Sequence, residues 1–221
     1  MDFIKEEYES KKLEVHLHLE NLQTVILNSN LSSELEGNCF YYNATLNLYP
    51  ELYSKQLNLF FFGKESGSRM CEIGFNAGHS LMLLLLGNQN SKIDFTIFDI
   101  GHHKYTKPCL EYIKSKFLNV NFEYIEGDST ITIPDFIIKN NELIGTYDLV
   151  HVDGGHFENC VVNDMKNAEM LVKINGIIIV DDTNNEMINK YVDLYISTGN
   201  YIELSILETY GYRHRVIKKI K

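Results

Sequence analysis

The sequence predicts an α/β fold. Five parallel strands alternate with helices, and a C-terminal antiparallel hairpin completes a seven-stranded mixed sheet with helices on both faces, behind an N-terminal helical extension. Three observations predict it. Near-continuous apolar runs recur at 70–74, 94–100, 121–126, 147–153 and 176–181, as expected of strands covered on both faces. Helical stretches at 78–88, 105–118, 133–143, 157–173 and 184–198 separate or follow them. Such alternation implies a parallel sheet with right-handed crossovers. The chain then changes character: 201–208 and 212–220 read as two strands joined tightly around Tyr210 and Gly211.

Ahead of the sheet, residues 8–62 read as helical. Leu13, Leu17, Leu19, Leu22 and Ile26 approximate one apolar stripe. Pro50 suits the first position of a helix that Gly63 would stop. Phe60, Phe61 and Phe62 close that helix, either as packing onto the main domain or as a lid over a site. The polar stretch 63–68 (GKESGS) is the natural boundary, giving an extension over 1–65 and a main domain over 66–221.

Composition narrows the function. The 221 residues are 44% apolar and 23% charged, ordinary for a globular chain that buries a full core. The formal net charge is -10. Nucleic-acid binders carry a basic face, so none is expected as a partner. The basic tail of Arg213, Arg215, Lys218, Lys219 and Lys221 reads as a guard on a sheet edge. The four cysteines form no C-x-x-C pair, which suits a reducing compartment. The start of the chain is acidic where a signal peptide is basic, and the apolar run 81–86 is too short to span a bilayer. A cytoplasmic protein is expected, with no membrane partner, and its oligomeric state is left open to a homo-oligomer.

Ligands of open parallel sheets sit at the carboxyl ends of the strands. The first strand ends in Glu72-x-Gly74-x-x-x-Gly78, within the run 70–80 (MCEIGFNAGHS). Glycines there let backbone approach a ligand, and a helix N-terminus follows with free amides. The second strand ends in Asp99, spaced from Gly74 as a ribose-binding acid is from a glycine turn. The third ends in Gly127, Asp128 and Ser129, which either hold the edge of an adenine, or start the next helix as its N-cap, or do both. The fourth ends in His151, Asp153 and His156, the fifth in Asp181 and Asp182. Three carboxylates on adjacent strand ends repel unless something positive lies between them, and a hard divalent cation is the economical choice. The alternatives are a helix cap for Asp181–Asp182 and a structural histidine for His156. His151 points into the core or a neighbouring strand, with no role assigned.

Taken together these motifs resemble the class I S-adenosylmethionine (SAM)-dependent methyltransferases, over residues 66 to 221. Within them the chain is most similar to the small metal-dependent O-methyltransferases, both the catechol type and the branch acting on sugars and natural products. The resemblance implies a Rossmann-like fold and SAM as cofactor. It implies that Glu72, Gly74, Asn76, Gly78, His79 and Ser80 surround the methionine part, with Asp153 nearby. Asp99 would hold the ribose and Asp128 with Ser129 the adenine. It implies that Asp153, Asp181 and Asp182 bind a divalent metal, Mg2+, and that His156 stands where a general base is placed, so Asp153 and His156 are the catalytic pair. The expected reaction is O-methylation of a small hydroxylated molecule such as a sugar or glycoside. The competing expectations are a metal-free SAM-dependent N- or protein methyltransferase, an NAD-dependent oxidoreductase, and a non-catalytic binding domain. Two departures stand out. The glycine motif lacks the commoner G-x-G-x-G spacing, and a histidine replaces the catechol-type lysine base.

Overall fold

The computed structural model describes residues 2–29, 39–41, 47–209 and 213–221. The extension holds α1 (Asp2–Ser10), α2 (Lys12–Asn28) and, after a 3-10 turn at Pro50–Leu52, α3 (Tyr53–Glu65). Then follow β1 (Arg69–Ile73), α4 (His79–Gly87), β2 (Ile93–Asp99), α5 (Thr106–Lys116), β3 (Val120–Glu126) and α6 (Ser129–Lys139). The second half contains β4 (Tyr147–Val152), α7 (Glu158–Leu171), β5 (Val172–Val180), α8 (Glu186–Ser197), β6 (Tyr201–Glu203) and β7 (Arg215–Lys219).

The sheet has seven strands in the order β3-β2-β1-β4-β5-β7-β6. The first five are parallel; β7 runs antiparallel to both β5 and β6. Strand order switches direction between β1 and β4, which places the ligand crevice at their carboxyl ends. Side chains alternate between two cores, as a pleated strand dictates. Met70, Leu149, Ile177 and Ile179 face the cluster that includes Leu22, Phe60 and the leucines of α4. Cys71, Val150, Ile178 and Val180 face the cluster built with Phe136, Met165 and Ile188. Among the described residues no helix is long and apolar enough to cross a membrane.

Several expectations need correction. The extension is not one helical stretch: Tyr41 pairs with Leu48 in an antiparallel bridge just before Pro50, while 30–38 and 42–46 lie outside the described residues. The buried stripe of α2 is Val15, His18, Leu19, Leu22 and Ile26. Leu13 and Leu17 are 81% and 56% exposed. Gly63 does not stop α3. It is a contact point, because a Cβ there would lie 2.2 Å from the Leu84 carbonyl oxygen of α4. Gly87 answers it, with the Phe60 carbonyl oxygen 2.0 Å from its own hypothetical Cβ. Two glycines thus let the backbones of α3 and α4 touch, and the buried Phe60 and Phe62 pack there. The predicted first hairpin strand is also too long. It leaves the sheet after Leu204, and Leu207 turns its amide (3.0 Å) and carbonyl (2.9 Å) to the side chain of Asn58 on α3. The tight connection expected at Tyr210 and Gly211 falls outside the described residues. β7 is interior, not an edge, and Arg215 meets Glu203 and Asp193.

Candidate active site

The turn after β1 is built from backbone requirements. Gly74 has φ +90°, and a Cβ there would lie 1.9 Å from the carbonyl oxygen of Asp153. Only glycine lets the ends of β1 and β4 meet so closely. Asn76 (φ 53°) and Gly78 (φ 79°) continue in left-handed conformations. Asp99 clasps this turn: one oxygen accepts the amides of Phe75 and Asn76 at 2.8 Å each, the other the amide of Gly101 at 2.7 Å. At the end of β2 the carboxylate thus has a structural task, fastening the turn through both of its oxygens.

Below the turn is a buried polar chain. One oxygen of Glu72 accepts the Ser80 hydroxyl at 2.5 Å and meets His151 Nδ1 at 2.8 Å. Its other oxygen has no partner among the described residues, nor does His79 Nε2. Burial lowers the His79 pKa to about 4, so the ring is neutral at pH 7. Asn76, His79 and Ser80 line a cavity together with Cys39, Asp153 and Asp181. The glycine turn and the acid cluster therefore share one space, and the orphaned Glu72 and His79 atoms lie in the same buried layer. An acid with one unpartnered oxygen, Glu72, beside a neutral imidazole fits the cationic methionine end of SAM.

The acids arrive by strand register. The amide of Asp153 bonds the Ile73 carbonyl (2.8 Å), and that of Asp181 bonds the Val152 carbonyl (2.9 Å). Asp182 is held at φ 52°, a left-handed conformation that Asp tolerates better than most residues. His156 Nε2 lies 2.7 Å from Asp182 Oδ2, with the imidazole about half exposed. The Asp181 oxygens are both engaged, by the Asp182 amide at 2.8 Å and by Lys55 Nζ at 2.5 Å. Lys55 comes from α3, and its side chain and that of Asp181 are almost wholly buried.

Charge follows this geometry. Burial, then repulsion from Asp181 and Asp182, raises the Asp153 pKa well above the carboxylate range. Burial pushes Asp181 the same way, but Lys55, His151 and His214 outweigh it and hold it low. Burial works against the Lys55 ammonium, and Asp181, Asp153 and Asp182 more than offset it. Two donor sets have ligand atoms within 4.8 Å of one another: His151, Asp153 and Asp181, and Asp153, His156 and Asp182. The second set fits a divalent cation, with two carboxylates, an imidazole and an open side at the exposed His156. In the first, Asp181 already carries an ammonium.

Asp128 is the N-cap of α6, accepting the amide and hydroxyl of Thr130 at 2.9 and 2.7 Å. It starts the helix at Ser129, four residues before the predicted 133. Sequence reasoning missed Lys55, Cys39 and the contact of His151 with Glu72. A signal existed for the first: Lys55, Gln56 and Asn58 are polar residues in a segment otherwise rich in Leu and Phe, and all three are buried.

Residues 71–183 match the family described as "Methyltransferase domain". The chain belongs to this family. The match spans the glycine turn, the Asp99 clasp and all three acids of the cluster. Solved structures with the same fold include an O-methyltransferase from Bacillus cereus in complex with S-adenosylhomocysteine (SAH). It is 18% identical with a TM-score of 0.64, covering 92% of this chain and 90% of that one. The SAH-bound Podospora anserina methyltransferase PaMTH1 is 15% identical with a TM-score of 0.61, covering 94% and 88%. TomG, an O-methyltransferase from Streptomyces achromogenes involved in tomaymycin synthesis and solved with SAM, is 12% identical with a TM-score of 0.59, covering 92% and 89%. No curated protein matches.

Proposed function

We propose that this methyltransferase uses SAM to methylate a hydroxyl oxygen of a small molecule such as a sugar or glycoside, with a divalent cation, Mg2+, at the acid cluster. One observation carries the reading: a single cavity is lined by the glycine turn (Asn76, His79, Ser80) and by Asp153 and Asp181. Bound SAM supplies a methyl group on a sulfonium, open to in-line displacement. Ser80 and Asp153 line the end suited to its cationic part, with Glu72 bonded behind Ser80, and Asp99 would take the ribose. The backbone around Asp128 and Ser129 is the adenine end. Asp153, Asp182 and His156 would hold the cation, whose charge makes an acceptor hydroxyl easier to deprotonate. With His156 counted among the ligands, its imidazole is not also the base, and the proton of the cation-bound hydroxyl passes to solvent at the exposed side of the cluster. Alignment of acceptor and methyl donor supplies much of the rate.

The partners proposed are small hydroxylated molecules rather than nucleic acid or membrane, in the cytoplasm. The test is calorimetric titration with SAH, followed by labelled methyl transfer from SAM to sugars, phenols and peptides, with and without chelator. SAH binding and cation-stimulated transfer to oxygen are expected. A flat titration, or transfer to nitrogen alone, overturns the reading. A metal-free enzyme acting on nitrogen has one observation in its favour: Lys55 already brings positive charge to Asp181. It predicts full turnover of a basic acceptor in chelator.

A further inference from the structure

We infer that Lys55, delivered by the N-terminal extension, sets the ligand count of the acid cluster: it occupies Asp181 and leaves a divalent cation only Asp153, Asp182 and His156. The inference rests on the cation proposed above and names the residue that shapes its site. Both Asp181 oxygens are engaged: Oδ1 accepts the Asp182 amide (2.8 Å) and Oδ2 holds Lys55 Nζ (2.5 Å). The pair is buried to about 5% exposure on each side, and a buried carboxylate without a counter-ion is strongly disfavoured. Nor is the lysine free to withdraw. α3 is pressed against α4 through Gly63 and Gly87. Gln56 bonds Tyr8 and the Cys39 carbonyl, and Asn58 clasps Leu207. Lys55 is thus a positioning residue: it engages Asp181 through Oδ2 and adds a like charge beside the cation.

Mn2+ binding to the full-length chain, read by electron paramagnetic resonance and calorimetry, tests this without reference to turnover. Lys55→Met removes the repelling charge and frees a third carboxylate, so Mn2+ should bind at least about tenfold more tightly. The double variant Lys55→Met/Asp181→Asn replaces the ion pair with neutral groups and leaves the other three ligands in place. Its Mn2+ affinity should stay within about threefold of wild type, because one positive and one negative charge are removed together and no proposed ligand is lost. Because no lone charge remains buried, the double variant keeps the test intact even if Lys55→Met fails to fold. A double variant that loses Mn2+ binding makes Asp181 a true ligand and overturns the inference, as does an unchanged affinity in a folded Lys55→Met. If wild type binds no Mn2+ but Lys55→Met does, the inference holds and the cation of the proposed function falls. If neither binds, both fall.

Discussion

The two halves of the strand-end row are assembled by different means. Around β1 and β2 the site is made of backbone. Gly74, Asn76 and Gly78 adopt left-handed conformations, and Asp99 fastens the turn by its amides, 23 to 24 residues away. Around β4 and β5 it is made of side-chain charge, balanced from afar: Lys55 of α3 meets Asp181 of the β5 end. The first half needs particular φ values, and the second needs a counter-ion that only the tertiary fold supplies. A substitution in the first half should therefore act on stability, and one in the second on chemistry and ion binding.

The sharpest break in that contrast is Gly74→Ala, where the halves touch. The new Cβ would lie 1.9 Å from the Asp153 carbonyl oxygen at φ +90°, so strain and overpacking add. A loss of about 3 kcal/mol or more is expected in urea denaturation, and wild-type stability in that variant would falsify the backbone account. Next comes Asp153→Asn. It should leave the fold intact by circular dichroism but lower methyl transfer about 10²–10³-fold, the usual cost of removing one electrostatic contact to a reacting centre. Normal stability with normal turnover removes Asp153 from the chemistry.

The same division decides what was legible in the sequence. The order of strands and helices, and the Glu72–Gly74–Gly78 turn with its acid at Asp99, are encoded within about 30 residues, in periodicity and in glycine placement. The acids of β4 and β5 were legible as residues, because strand ends in a parallel sheet share one rim. Their neutralisation was not. Repulsion among Asp153, Asp181 and Asp182 demanded a positive charge, and a metal was the local answer; Lys55 was hidden in a segment read as packing or lid. Sequence periodicity also mistook Gly63 for a helix stop, since a glycine that admits a neighbouring backbone and one that ends a helix look alike until the partner, here Leu84, is known.

The charged half also carries a pH signature. Asp164 of α7 is buried beneath Gly154, with one oxygen unpartnered among the described residues. Burial raises its pKa from 3.8 to about 6, with Ser129 acting in the opposite direction. The folded chain thus holds this proton more tightly than the unfolded one, so folding takes up a proton between those values. Stability should fall as pH rises from about 4 to about 6, by up to about 3 kcal/mol. Denaturation midpoints across that window should slope in wild type and slope less in Asp164→Asn, the remaining slope of the same sign coming from Asp153, whose pKa burial also raises. An equal slope in both assigns the effect to another group.

The smallest effect sharpens the backbone half. Asp128 is exposed and caps α6 through Thr130, and those hydrogen bonds hold its pKa below the usual carboxylate value. Asp128→Ala should cost about 1 kcal/mol, the usual price of an N-cap. It discriminates because the cap and an adenine contact are separable. If Asp128 only starts the helix, SAH affinity changes little while thermal stability drops. If its carboxylate also touches the base, affinity falls by about tenfold, roughly the 1.4 kcal/mol of one charge-assisted hydrogen bond. Asp128→Asn separates the two again: it keeps a cap of comparable strength and removes the charge, so an affinity loss shared by Ala and Asn belongs to the ligand and not to the helix.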